Sequence, residues 1–197
     1  YAKLQDGAEM EERISIEDAR DMAASMMPET KEMMYVLIVP KAQGLKITGT
    51  FLDEISHDIV HQNWGEQEWD RDFAHMKAIG IDTVIVIRSG YRKFLTYPSP
   101  YLMKTFGCYK PSVDLIDMYL RLADKYDMTF YFGLYDSGRY WDTGDLTWEI
   151  DSNMYVIEEV WKQYGHHKSF GGWYLSQEIS RATKGAIKAF ASLGKQC

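Results

Sequence analysis

The sequence predicts an α/β fold: a parallel (β/α) barrel of TIM type, with about the first four βα units present and a helix–strand appendage over residues 1–44. Three observations predict it. From Lys46 onward, short apolar or aromatic runs alternate four times with amphipathic stretches of helical spacing. That alternation marks a parallel sheet with helical crossovers rather than segregated α and β regions. The second run, Asp82-Thr83-Val84-Ile85-Val86-Ile87, is nearly continuous apolar sequence, as expected of a strand covered on both faces. The residues directly after every run are polar or charged, and barrels of this kind carry their chemistry at the C-terminal ends of the strands.

The elements follow in order. In the appendage, Ser15-Ile16-Glu17-Asp18 has the form of a capping box, and Ile16, Ala19, Ala23 and Met26 continue at near-helical spacing until Pro28, which predicts a short helix. The run from Met33 to Val39, closed by Pro40 and Gln43-Gly44, predicts a strand and a turn. The partial barrel occupies residues 45–197. Its first strand is Ile47–Leu52, and its first helix is Glu66–Ile79, with Trp69, Phe73, Met76 and Ile79 on one face before Gly80. Asp82–Ile87 is the second strand, followed by a helix from Ser112 to Tyr126 with Leu115, Met118, Tyr119 and Leu122 on one side. The third strand is Thr129–Tyr135; a Gly- and Asp-rich loop and a helix from Ile150 to Tyr164 come next. Gly172–Ser176 is the fourth strand, before a helix from Ala182 to Leu193. A complete barrel takes roughly 250 residues, against about 150 after Lys46. A half-barrel leaves its first and fourth strands unpaired, so three covers are expected: a homodimer, the missing C-terminal half of the barrel, or the Met34–Val39 run on one edge.

Composition narrows the partners. With 197 residues, 46% of them hydrophobic, the chain can bury a full core. The net charge of −7, with no basic stripe, makes nucleic acid and anionic membrane poor partners. The Met33–Val39 run falls short of the roughly 18 residues that cross a bilayer. Asp6, Glu9, Glu11 and Glu12 make the first stretch unlike a signal-peptide leader. Cys108 and Cys197 are too few for a disulfide framework or a zinc cluster. No Gly-rich phosphate loop, serine nucleophile elbow or CxxC motif occurs, and no cofactor is expected. Six Trp, fourteen Tyr and eight Phe suit a packed core and also suit a cleft that stacks on sugar rings.

The candidate site is read from the strand ends. Asp53, Glu54, Ser56, His57, Asp58 and His61 follow the first strand, and Arg88, Ser89, Tyr91 and Arg92 follow the second. Asp136, Ser137, Arg139, Tyr140, Trp141 and Asp142 follow the third; Gln177, Glu178 and Arg181 follow the fourth. Cleavage of a glycosidic bond needs two carboxyl groups flanking it, one protonated and one ionised. Glu178, Asp53, Glu54 and Asp136 are therefore the candidate catalytic carboxyls, expected to converge with Arg88 on one face. Glu178 ends an aromatic strand, where Trp173 or Tyr174 would raise its pKa by desolvation and Arg88 or Arg181 would lower it. Arg88, Tyr91, Trp64, Arg139, Tyr140, Trp141 and Gln177 are the candidate substrate-binding residues. Trp64 and Trp141 are placed in loops, where an indole either stacks on a sugar or anchors the loop. His57 and His61, four apart near Asp53, Glu54 and Asp58, admit a divalent-metal site if that segment is helical, but the HExxH pattern is absent and no metal is assigned. His166-His167 are read as surface residues.

Several of these stretches also carry a resemblance. They are Lys46 to Ile55 (KITGTFLDEI), Asn63-Trp64-Gly65, Ile87-Arg88-Ser89-Gly90-Tyr91, Tyr131 to Asp136 (YFGLYD) and Gly172 to Glu178 (GWYLSQE). Together they resemble a family known as a domain of unknown function and described as glycosidase-like with a TIM-barrel fold. The likeness runs from Leu45 to the C-terminus. Similarity to the wider retaining-glycosidase superfamily implies an acid/base glutamate at the end of strand four, which matches Glu178. It implies a nucleophile glutamate at the end of a seventh strand, outside these residues. The usual Asn-Glu pair is here Gln177-Glu178. The resemblance implies a glycoside hydrolase-like protein, secreted or periplasmic, acting on or binding carbohydrate. A noncatalytic carbohydrate-binding or scaffold protein and a metal-dependent hydrolase or isomerase are the alternatives.

Overall fold

Four short strands, β1 (Gly49–Leu52), β2 (Thr83–Val86), β5 (Thr129–Gly133) and β7 (Phe170–Tyr174), pair in parallel in the order β1-β2-β5-β7 in the computed structural model. The structure describes residues 47–56, 63–179 and 183–197. The expected appendage helix and strand, His57, Asp58, His61 and Arg181 lie outside them. Each consecutive pair of these strands is joined by helical sequence, as right-handed parallel crossovers require. The helices are α1 (Glu66–Ala78), α2 (Pro100–Phe106), α3 (Leu115–Tyr126), α4 (Arg139–Thr143), α5 (Thr147–Tyr164) and, after β7, α6 (Ala186–Gln196).

Local chemistry explains the helix ends. Glu68 reaches back to the Gly65 N–H at 3.1 Å, and the first turn of α1 is acidic while its last turn carries His75 and Lys77, which suits the helix dipole. Trp69, Phe73 and Met76 fall on its buried face. Asp114 caps α3 by accepting from Asp117 N at 3.0 Å. The two helices meet through Trp69 and Phe73 on Tyr119, with ring centroids 4.9 and 6.0 Å apart.

Among the described residues the sheet is covered on one face, where strands buried on both faces were expected. Val84, Val86, Phe130 and Phe132 are buried in the main core with Phe73, Ile116, Leu120, Val156 and Val160. Their neighbours Thr83, Ile85, Thr129 and Tyr131 point the other way and are only half-buried. On that second face the rings of Phe51 and Tyr174 lie 5.2 Å apart, although they sit on opposite edge strands. Three strand spacings span about 14 Å in a flat sheet, so the sheet curves toward this face and its side chains converge. Gly133 permits a tight junction at the site end: a Cβ there would lie 2.1 Å from the Val86 carbonyl oxygen.

A second small sheet sits beyond those strand ends. Its strands β3 (Gly90–Tyr91), β4 (Phe94–Leu95) and β6 (Tyr135–Asp136) pair in the order β4-β3-β6. The third strand expected from the sequence is therefore two elements: Leu134 donates to the Tyr174 carbonyl at 3.0 Å, and the chain then leaves the main sheet for the small one. Helix α5 begins three residues earlier than expected, which brings Glu149 into its first turn. Helix α2 has a capping Ser99, a proline at its start and a left-handed Gly107 at its end. His167 is not a surface residue. Its side chain is buried and pairs with Asp124 at 2.7 Å, because α3 and the turn before β7 close over it.

Candidate functional site

Arg88, just past β2, is the hub. Its guanidinium contacts Asp136 at 3.2 Å and Glu178 at 3.6 Å, and its side chain is 12% exposed. Asp136 ends β6 and is 1% exposed, whereas Glu178, in the segment after β7, has a side chain 65% exposed. One guanidinium thus bridges the two carboxyl groups. Burial raises the Asp136 pKa, the nearby Glu178 carboxylate adds to this, and the Gly138 N–H, Arg88 and Tyr140 oppose it. The buried carboxyl of the two is Asp136, while Glu178 reaches solvent. The aromatic residues before Glu178 are engaged elsewhere, Trp173 with Phe132 and Phe170 and Tyr174 with Phe51.

The loop that carries Asp136 is held from several sides. Gly138, at φ 72°, donates its N–H to Asp136 Oδ1 at 2.7 Å. The Tyr140 hydroxyl lies 3.4 Å from Asp136 Oδ2 and accepts from the Glu178 N–H at 3.2 Å, which ties the two carboxyl-bearing segments together. Gln177 is buried; its Nε2 donates to the Tyr135 carbonyl at 2.9 Å, and its Oε1 is buried with no partner among the described residues. Asn153 of α5 satisfies both backbone groups of Tyr135, at 2.9 and 2.8 Å. Glu149, one turn earlier, accepts from the Ser137 N–H at 3.2 Å and from the Ser137 hydroxyl. Burial pushes the Glu149 carboxyl up to about 7, with the Asp136 carboxylate adding to the shift and the Ser137 hydrogen bonds opposing it.

The remaining candidates divide between this centre and its surroundings. Tyr91 lies beneath the Arg88 guanidinium, 5.4 Å from it, and Arg139 stacks on Trp148 at 4.1 Å. Trp141 is exposed and leans on Tyr140, but it belongs to α4 and not to a loop. Asp53 and Glu54 line a groove beside α1 with Trp64, Trp69 and Asp72. The Asp53 carboxylate is occupied by its own turn, accepting from Ile55 N, Ser56 N and the Ser56 hydroxyl at 3.0, 2.9 and 2.6 Å. Trp64 packs edge-on against Trp69 at 5.1 Å. The structure thus brings Arg88, Tyr91, Asp136, Tyr140, Gln177 and Glu178 together, and Asp53, Glu54 and Trp64 line the groove beside α1.

Glu149 was not among the candidates. A signal for it existed: Glu149, Asn153, Val156, Val160 and Tyr164 form one buried stripe of α5, and a carboxyl on an apolar stripe calls for a partner. Among the described residues no group of three or more His, Cys, Asp or Glu is placed to hold a metal. No helix among them is long and apolar enough to cross a membrane.

Fold and site define the class: an α/β protein whose curved parallel sheet presents a charged, carboxyl-bearing rim at its strand ends. Residues 47–197 match the family described as Domain of unknown function (DUF4434), and the chain belongs to that family. It is also similar to a solved structure, the crystal structure of a "putative alpha-L-fucosidase" from Bacteroides thetaiotaomicron VPI-5482, at 78% identity and a TM-score of 0.77. The match covers 84% of this chain and 52% of that one, so the chain spans about half the length of this relative. No curated protein matches the chain.

Proposed function

We propose that the chain contributes the first four βα units of a glycoside hydrolase-like (β/α) barrel that acts on carbohydrate, with Glu178 as general acid/base. The observation that carries this reading is the single guanidinium of Arg88 shared by a buried carboxyl, Asp136, and an exposed one, Glu178. An exposed carboxyl held by a buried charged neighbour at the C-terminal rim of a parallel sheet stands where barrel enzymes carry their chemistry. Glu178 reaches solvent and so reaches a glycosidic oxygen, while Arg88, Tyr140 and Asp136 orient it. The nucleophile is the glutamate that the resemblance places on a seventh strand. The similar structure described as a "putative alpha-L-fucosidase" supports a glycosidase-like chemistry.

The curvature of the sheet supports the half-barrel arrangement, as do the exposed apolar residues near its edges: Ile47, Phe51 and Ile79 near β1 and Trp161 near β7. Further βα units or a second copy of the chain would cover them. Turnover of a panel of aryl glycosides, including α-L-fucosides, tests the reading in this chain and in any longer protein that carries it. Glu178→Gln keeps the shape but cannot donate a proton, and activity is expected to fall roughly 10²- to 10⁴-fold with folding intact. Equal turnover by wild type and variant removes Glu178 from the acid role. Sugar affinity without turnover in the wild type favours a noncatalytic carbohydrate-binding protein.

A further inference from the structure

We propose that Arg92 and Arg139 form an oxyanion-binding subsite beside the Arg88–Asp136–Glu178 centre, so that the carbohydrate taken is acidic, carrying a carboxylate or a sulfate ester. The inference rests on the carbohydrate reading above and names its substrate class. Among the described residues, Arg71, Arg88 and Arg121 each pair with carboxylates. Arg92 and Arg139 are the two described arginines without one, and both are exposed.

They are adjacent to each other and to the centre. The Arg92 N–H donates to the Asp136 carbonyl at 2.9 Å. The Arg92 side chain packs over Gly138, where a Cβ would lie 3.0 Å from Nε, and Gly138 directly precedes Arg139. Aromatic faces hold both guanidinium groups in place of acids: Arg92 lies 5.3 Å from the centroid of Tyr91, and Arg139 lies 4.1 Å from that of Trp148. The same Tyr91 ring carries Arg88 at 5.4 Å. One tyrosine therefore links the arginine already occupied by carboxylates to the one that is open.

The backbone supports the same conclusion. Arg92 adopts a left-handed conformation, φ 54°, uncommon for a residue with a long side chain. A hairpin turn at this position is satisfied by Asn or Gly, so the turn does not account for arginine. The conformation is fixed on three sides: by the bond to Asp136, by the buried Tyr135 hydroxyl donating to the Arg92 carbonyl at 2.6 Å, and by the Cys108 thiol at 3.4 Å. Unfavoured backbone held this firmly is typical of ligand sites. The planar guanidinium fork matches a carboxylate or sulfate, and a local cationic pair is what an acidic protein needs to admit an anionic chain.

Calorimetric titration of the full chain with two matched pairs tests the subsite independently of hydrolysis. The pairs are tetragalacturonate with its methyl ester, and a sulfated tetrafucose with its desulfated form. One anionic member is expected to bind at least tenfold tighter than its neutral partner; which pair shows the preference distinguishes carboxylate from sulfate. The preference should shrink to within twofold in Arg92→Gln and Arg139→Gln, and persist in Arg92→Lys and in Glu178→Gln. Equal binding within both pairs, no binding of any of the four at millimolar concentration, or a preference that survives both glutamine variants would overturn the subsite. Loss of turnover in Glu178→Gln with no anionic preference in the wild type would leave the hydrolase reading standing and this one refuted.

Discussion

Glu149 and Asp136 show how a single buried carboxyl couples stability to the site. Glu149 is wholly buried, and its fold raises the carboxyl from an ordinary 4.5 to about 7. The native state therefore binds more protons than the unfolded chain between those values, and stability falls as pH rises across that window. The contribution is fully present below about pH 4.5 and is lost as pH passes through about 7. Its size is on the order of 3 kcal/mol. The raised pKa of Asp136 acts in the same direction. Urea denaturation at pH 5 and pH 8 checks this: Glu149→Gln should remove most of the decline, because the amide cannot ionise. A decline as steep in the variant as in the wild type would place its origin elsewhere.

At the scale of elements, two junctions decide whether the rim is assembled. Gly133 lets β5 close on β2 where a Cβ would strike the Val86 carbonyl. Gly133→Ala is expected to cost roughly 2 to 4 kcal/mol, since backbone rather than a flexible side chain must move; a loss under about 0.5 kcal/mol in chemical denaturation would show that the strands part easily. Ser99→Ala removes the Leu102 cap of α2 and should cost about 1 kcal/mol. The four parallel strands and the four long helices, α1, α3, α5 and α6, were legible in the sequence because Trp69, Phe73 and Met76, or Val84 and Val86, repeat with the period of their element. The small sheet was not. Gly90–Tyr91 and Phe94–Leu95 are two residues each, too short for any period to register. Helix α2 was missed although Ser99, Pro100 and Gly107 carry the start and stop signals of a short helix. Of the site, Arg88, Asp136 and Glu178 could be found by their place after apolar runs. Their sharing of one guanidinium could not, since it depends on how strands distant in sequence come together.

At the scale of the whole molecule, the described residues leave one concave face of the sheet half-buried and place exposed apolar side chains near its edges. Such edges pair with other chains unless covered. Light scattering of the 22.9 kDa chain is expected to give a dimer, or a monomer that self-associates when residues 1–44 are removed. A monomer indifferent to that deletion would count against a half-barrel in need of cover. The role of Glu178 is tested in a protein that carries the completed barrel, since this reading places the nucleophile on a seventh strand. A general acid matters most when the leaving group is basic and least when it leaves unaided. The most direct measurement is kcat/KM for wild type and Glu178→Gln across aryl glycosides of graded leaving-group acidity, from dinitrophenyl to unsubstituted phenyl. The variant should lose roughly 10²- to 10⁴-fold on the phenyl glycoside and little on the dinitrophenyl one. A uniform loss across the series would contradict the assignment of Glu178 as the acid.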